Sequence, residues 1–224
     1  MEKKGTNVTK FVEEYLRKRP LLKEFLSRGL INHSALAREI IEEAKKEGME
    51  LSLGAVKMAI FRTAENLKSR ERGIERKLKR IVGESVIQVQ SDLAIITVER
   101  GKLIGKLREL SRLMEDARFF QITQGVEIFN ILVARERLPA AMEIIGEGNI
   151  IDITDGQSAI ILISPEENIR TPGFIYLLTS VLSYNGINIT QIISCHKDTV
   201  FVFERKDAIR AYDVLENFIL GFRN

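Results

Sequence analysis

The chain has 224 residues, of which 45% are hydrophobic and 29% charged, and a formal net charge of +3. This length suits one large domain or two to three small ones, and the composition is typical of soluble globular proteins. The start lacks the apolar stretch of a secretory signal, and no run of about 18 uncharged apolar residues predicts a membrane span. We therefore expect a cytosolic protein.

The charge is unevenly distributed. Residues 1–83 carry 20 Lys or Arg against 12 Asp or Glu, whereas the remainder carries 14 against 19. A basic first part and an acidic second part indicate two roles, with nucleic acid as one candidate partner, although Lys/Glu-rich helices also fluctuate in local charge. Abundant Lys and Glu with no Trp and one Cys also favour a heat-adapted protein.

Residues 1–83 are predicted to be helical. Pro20, Gly29 and Gly48 are expected to end the first three helices, and Ser52 is a candidate N-cap for the fourth. Apolar residues recur at helical spacing in 8–19, 21–29, 32–48 and 51–73, and a basic helical stretch continues to Gly83.

Two of these helices, 33–47 and 53–67, are separated by a short break and are typical of a helix-turn-helix, with the second as the recognition helix. Domain 1–83 is therefore interpreted as winged-helix-like, and it resembles archaeal winged-helix regulators. The polar groups offered to DNA would be Ser52, Lys57, Arg62, Lys68, Arg70 and Arg72. The segment "LGAVKMAIF" is nearly apolar all round, so Ala55, Met58 and Phe61 could instead pack a dimer or a neighbouring helix.

From residue 85 strands alternate with helices, and the pattern occurs twice. Segments 86–99 and 150–164 each read as a short strand, a polar turn and a β-branched strand. An amphipathic helix, two strands and a second helix follow each of them. This order predicts an α+β fold in which two tandem ferredoxin-like βαββαβ units, 84–148 and 149–224, follow the helical domain.

The fourth strand of each unit is displaced along the chain, because each copy starts with an additional strand and ends with a helix. Strand 150–154 can complete the first sheet. The second sheet must then use strand 86–90 or the corresponding strand of another chain.

The second copy carries specific motifs: Pro172-Gly173 between strand and helix, "NGINI" after the helix, and "SCHKDTVFVF" on a hairpin. On these residues, 158–216 resemble an ACT domain, the ligand-sensing module of amino-acid metabolism. The first copy, 92–145, matches in element order but lacks the Pro-Gly. The tandem arrangement resembles the regulatory region of aspartokinases, and the sequence contains no kinase domain.

The resemblance implies an amino-acid effector, held between this loop and the second strand of a neighbouring unit. Pro172 suits a first helical turn, Gly173 permits close approach, and the following N–H groups at the helix start favour a carboxylate. The implied effector-binding residues are Asn168, Ile169, Arg170, Thr171, Gly173, Phe174, Asn188, Ile189 and Gln191. In the alternative, Pro-Gly only shapes a turn and the ACT units only pair.

No catalytic or metal-binding constellation stands out. Cys195 and His196 are adjacent in a predicted strand and would point to opposite faces, and Cys195 is predicted to be buried. His33 is expected to be a capping or surface residue. "GKLIGKL" lacks the spacing of a phosphate-binding loop. We therefore expect no enzyme activity, no metal and no cofactor other than an amino-acid effector.

Together these features predict an amino-acid-responsive transcriptional regulator. Effector binding at ACT interfaces would alter DNA binding by the N-terminal domain, in a homodimer or higher oligomer formed through the ACT units. The alternative is a regulatory subunit that senses an amino acid and docks on a biosynthetic enzyme. Steep salt dependence would favour DNA binding.

Overall fold

The computed structural model describes the backbone of residues 3–223 and the side chains of residues 8–68 and 75–223. The chain forms two compact units, Met1–Lys77 and Leu78–Asn224. The helices are α1 (Lys3–Arg17), α2 (Pro20–Ser27), α3 (His33–Lys46), α4 (Leu53–Gly83), α5 (Arg100–Leu103), α6 (Leu107–Asp116), α7 (Leu138–Ile145), α8 (Phe174–Tyr184) and α9 (Arg205–Leu220). The strands are β1 (Val86–Glu99), β2 (Phe120–Gln124), β3 (Ile128–Ala134), β4 (Ile150–Ile163), β5 (Gln191–Cys195) and β6 (Asp198–Glu204).

The first unit is helical. Asn32 caps α3, since its side-chain oxygen accepts hydrogen bonds from the backbone N–H groups of Ser34 and Ala35 at 2.9 and 3.1 Å. Val12 of α1, Ile40 of α3 and Ile60 of α4 are fully buried in its core. No strand occurs in the described backbone of this unit, so the predicted winged-helix fold, which requires a β-hairpin wing, is not supported.

Helix α4 is 31 residues long and continues through Gly73, where the sequence predicted an end. A glycine inside a helix costs about 1 kcal/mol, which a long helix can tolerate. The two predicted helical stretches, 51–73 and the following basic segment, are therefore one element.

All six strands of the second unit belong to one antiparallel sheet in the order β2-β3-β1-β4-β6-β5. The long central strands β1 and β4 pair along their whole length. Residues 93–98 of β1 pair with 150–157 of β4, and residues 86–90 pair with 159–163. The first half of β1 thus lies beside the second half of β4, so the displaced strand comes from the same chain.

Both central strands bend where the sequence predicted polar turns, yet each remains one strand. Asp92 in β1 and Gly156 in β4 have positive φ values of 59° and 65°. The β1–β4 register shifts between Gln90 and Leu93. Each bend is contacted by an arginine from beyond the other central strand. Arg205, which follows β6, contacts Asp92 of β1 at 3.2 Å, and Arg135, which follows β3, contacts Asp155 of β4 at 2.5 Å.

The bends divide the sheet into two four-stranded halves, each covered by helices on one face. Phe174, Phe201 and Leu215 lie in the core of the second half, and a separate apolar cluster fills the first half. A further cluster joins residues of both halves, including Leu132 of β3 and Ile193 of β5. The expected segments 84–148 and 149–224 therefore lie within one compact unit, and two separate tandem domains are not seen.

Candidate functional site

The loop between β4 and α8 contains a short helical turn, Glu166–Arg170, and ends at Gly173. Gly173 has φ 93° and ψ −7°, a left-handed conformation that L side chains rarely adopt. It directly precedes α8, whose first-turn N–H groups have no carbonyl partner within the helix. The loop therefore presents backbone donors at the positive end of an eleven-residue helix.

Three of the predicted effector-binding residues face inward. Asn168, Thr171 and Phe174 are only 8%, 6% and 3% exposed. The Asn168 amide donates to the carbonyl of Lys197 at 3.0 Å, and the Thr171 hydroxyl donates to the carbonyl of Glu167 at 2.6 Å. These side chains shape the loop from within, so any direct ligand contact at Phe174 must come from its backbone.

The other loop residues face outward. Ile169 is 51% exposed, and Arg170 and Gly173 are also exposed. An apolar side chain, a cation and backbone N–H groups are therefore accessible together in a short segment. These are groups suited to a small zwitterion with a carboxylate and a side chain.

The predicted strand residues lie beyond the other end of α8. Asn188 is exposed, Ile189 packs against the core of the second half, and the Gln191 amide donates to the Thr123 hydroxyl of β2 at 3.1 Å. The Gln191 Oε1 atom is buried with no hydrogen-bond partner among the described residues.

Gln191 is also distant from the loop before α8. It occupies the end of β5 opposite Cys195, whereas the turn after Cys195 is the part that contacts the loop. The nine predicted residues thus form two separate groups within one chain.

The loop also contacts the end of α4, a relationship that no local sequence pattern indicated. Arg80 Nη2 donates to Glu167 Oε1 at 2.9 Å, and this hydrogen bond raises the pKa of Arg80 above its ordinary value. A Cβ on Gly173 would lie 3.3 Å from Leu78 Cδ1. Phe174 packs in the same cluster as Leu78.

The predicted DNA-binding residues do not share one face. The Ser52 hydroxyl accepts a hydrogen bond from the Ala55 N–H at 3.3 Å and so caps α4, as predicted. Lys57, Arg62 and Lys68 are exposed, but Lys57 and Arg62 are roughly 140° apart around the helix. Arg70 and Arg72 lie outside the described side chains.

Two further predictions concern the cysteine and metal sites. Cys195 is exposed at the hairpin between β5 and β6, so the prediction that it is buried is wrong. His196 occupies the turn with φ 55°. Within residues 8–68 and 75–223, no group of three or more His, Cys, Asp or Glu is arranged to hold a metal. No helix among the described residues is long and apolar enough to cross a membrane.

Comparison with known proteins supports the ACT resemblance. Residues 152–217 match the ACT domain family. The aspartate kinase of Synechocystis superposes with a TM-score of 0.50 at 17% identity, over 61% of this chain and 27% of that enzyme. The regulatory subunit of aspartate kinase from Thermus thermophilus superposes with a TM-score of 0.49 at 15% identity, over 58% of this chain and 94% of that subunit.

The aspartate kinase of Clostridium acetobutylicum gives a TM-score of 0.48 at 17% identity over 62% of this chain, and the match spans about a third, 34%, of that enzyme. No curated protein sequence matches the chain. Likeness at these identities concerns the fold alone. Residues 152–217, which run from β4 into α9, are therefore similar to the ACT domain family.

Proposed function

We propose that this protein is an amino-acid-responsive regulator without catalytic activity, and that its ACT domain binds the effector at the loop before α8. The left-handed Gly173 carries this proposal, because it opens the N-terminus of α8 beside the exposed Ile169 and Arg170. The effector carboxylate would accept hydrogen bonds from the N–H groups of Phe174 and Ile175. The aspartokinase regulatory folds support the assignment as analogy.

A second part of the site would come from a strand. Asn188 is exposed and is available for that role in a neighbouring ACT domain, where its side-chain oxygen would accept a hydrogen bond from an ammonium group. We propose that the effector is held between the loop before α8 of one ACT domain and the segment entering β5 of another ACT domain. Such a site makes effector binding depend on how the units are arranged.

The response would pass to α4. Arg80 and Leu78 belong to its last turns and contact the loop directly. The same helix carries the chain out of the first unit. A ligand that moves the loop would therefore act on the segment through which the chain enters the second unit, provided that it binds one loop position better than another.

The test is a thermal-shift screen of the twenty amino acids on the full chain, repeated on two variants. Gly173→Ala adds a strained Cβ at the proposed site. Gly186→Ala adds one at the other end of α8, where φ is also positive, at 65°. Both variants should have a free energy of unfolding about 1 kcal/mol or more below that of the parent, and should therefore melt at a lower temperature.

We expect one amino acid to raise the melting temperature of the parent and of Gly186→Ala, but not of Gly173→Ala. No shift with any amino acid would overturn the effector proposal. A shift that survives in Gly173→Ala would place the site elsewhere.

We further propose that the regulated output is DNA binding by the first unit. The excess of basic over acidic residues in 1–83, 20 Lys or Arg against 12 Asp or Glu, supports this proposal. Fluorescence anisotropy with mixed-sequence duplex DNA should show binding that weakens steeply between 50 and 200 mM salt, roughly tenfold or more. Binding to a biosynthetic enzyme is the competing output, and salt-insensitive association in that assay would favour it.

A further inference from the structure

The outward face of α4, made of Gly54, Met58, Phe61 and Glu65, has no cover from the described part of the chain. Met58 and Phe61 are 52% and 51% exposed, and a Cβ on Gly54 would find no atom within 4 Å. Val56 and Ile60, on the opposite side, are fully buried. The helix thus uses one side for the core of the first unit and leaves large apolar side chains on the other.

Single exposed apolar residues are common on protein surfaces, so exposure alone does not identify a partner. The charges around this face are more informative. Lys57 lies four residues before Phe61 and Glu65 lies four residues after it, a rise of about 6 Å in each direction. Neither Lys57 nor Glu65 has an ion-pair partner among the described residues.

An arrangement with a cation on one side of an apolar centre and an anion on the other is self-complementary when a second copy runs antiparallel. A two-fold axis at Phe61 places Lys57 of each copy level with Glu65 of the other, which forms two equivalent ion pairs. A parallel arrangement would instead place Lys57 beside Lys57 and Glu65 beside Glu65.

The apolar and small residues fit the same arrangement. Phe61 would meet Phe61 at the axis, with Met58 beside it. Gly54 would lie level with Lys68 of the second copy, and its missing side chain leaves room for the lysine stem. We propose that the outward face of α4 is a homotypic interface that holds two copies of this chain antiparallel through Phe61 and the Lys57–Glu65 pairs.

This interface differs from one formed through the ACT domain, because all its residues belong to the first unit. Its apolar area is small, since it rests on two half-exposed side chains per copy, so we expect weak association with a dissociation constant of roughly micromolar order. It would bring two first units together.

The test is sedimentation equilibrium of the full chain across a range of concentrations, with charge-swap variants. Lys57→Glu and Glu65→Lys each create two repulsive pairs across the α4 interface. Each should raise the dissociation constant for association through α4 roughly tenfold. The double variant Lys57→Glu/Glu65→Lys restores opposite charges and should regain the parent value. Arg62→Glu is the matched control, because Arg62 is exposed on the same helix but flanks the face.

All three substituted positions are exposed, so circular dichroism should show the parent fold in all four variants. Loss in the single variants with recovery in the double variant supports the interface. The proposal is overturned by a monomeric parent, by single variants that associate like the parent, or by a double variant that fails to recover. A loss in Arg62→Glu equal to that in Lys57→Glu would also overturn it, since net charge would then explain the effect.

Discussion

Arg80 of α4 and Glu167 of the loop before α8 are joined by a hydrogen-bonded ion pair of 2.9 Å, although 87 residues separate them. A second contact lies at the start of this loop. The hydroxyl of Ser85, between α4 and β1, donates to the hydroxyl of Ser164, directly after β4, at 2.9 Å. The loop start and its middle therefore both contact the segment that runs from the last turns of α4 into β1. A ligand-induced movement of the loop would change these contacts.

Removal of this ion pair should alter effector binding more than stability. Both side chains are about half exposed, 50% for Arg80 and 46% for Glu167, and pairs of this kind add little to folding. We expect Glu167→Gln to melt close to the parent but to bind the amino acid found in the screen roughly fivefold more weakly, because the loop loses a restraint. Isothermal titration calorimetry would measure the affinity.

Glu84 provides the control, since it is a second partner of Arg80, at 3.8 Å, within α4 itself. Glu84→Gln removes the same charge without touching the loop and should keep the affinity of the parent. Equal affinities in the parent and Glu167→Gln would show that the Arg80–Glu167 pair plays no part in the response.

The C-terminal segment packs on the end of α4. A Cβ on Gly83 would lie 2.7 Å from the backbone oxygen of Phe222, and Arg223 donates to the carbonyls of Gly83 and Ser85 at 2.9 and 2.8 Å. Gly83→Ala should therefore lower the free energy of unfolding by about 1–3 kcal/mol, because backbone must move. Gly105→Ala, where a Cβ meets no atom within 4 Å, should be neutral or slightly stabilising. Urea unfolding would compare the two, and equal losses would contradict the packing argument.

Much of the fold follows from local pattern. The predicted helix ends at Gly29 and Gly48 agree with positive φ at both positions, because the left-handed conformation closes a helix and glycine adopts it at little cost. The sequence also predicted that the two halves exchange strands, because segments 86–90 and 150–154 had no pairing partner in their own copies. In the structure each of them pairs with a strand of the other copy.

What the sequence could not reveal depends on contacts between remote segments. The pairing of Arg80 with Glu167 and of Gln191 with Thr123 leaves no periodic signal, because each residue alone looks like an ordinary polar surface residue. The inward orientation of Asn168 and Thr171 was missed for the same reason. Cys195 does lie in a strand, as predicted, but it is the last residue of the edge strand β5 and is therefore exposed.

The two bends of the sheet should respond differently to substitution. Gly156 in β4 and Asp92 in β1 both have a left-handed backbone, with φ of 65° and 59°. Gly156→Ala has free space for its Cβ, so the expected loss of about 1–2 kcal/mol comes from backbone strain alone. Asp92→Gly relieves strain but loses the contact with Arg205, so its change in stability should be smaller. Denaturant midpoints would check this, and a larger loss in Asp92→Gly would show that the ion pair dominates.

Loss of the proton of Tyr15, in the core of the first unit, should lower the free energy of unfolding at high pH. Tyr15 is almost fully buried as a residue, and its hydroxyl donates a hydrogen bond to Glu39. Burial first, and then the hydrogen bond to Glu39 and its negative charge, raise the pKa of Tyr15 to about 12. An unfolded tyrosine titrates near pH 10, at about its ordinary value, so the folded chain holds this proton more tightly.

The stabilisation from the protonated Tyr15 is therefore complete below about pH 10 and is lost as the pH rises to about 12. It amounts to about 2 kcal/mol, and Tyr15→Phe, which has no proton to lose, should show a smaller decline over that range. Tyr184→Phe is the control, since Tyr184 is 73% exposed and its removal should leave the alkaline decline of the parent unchanged. Urea midpoints measured at pH 9 and pH 11.5 would separate the three proteins, and parallel declines in all of them would mean that lysine and arginine titration, rather than Tyr15, sets alkaline stability.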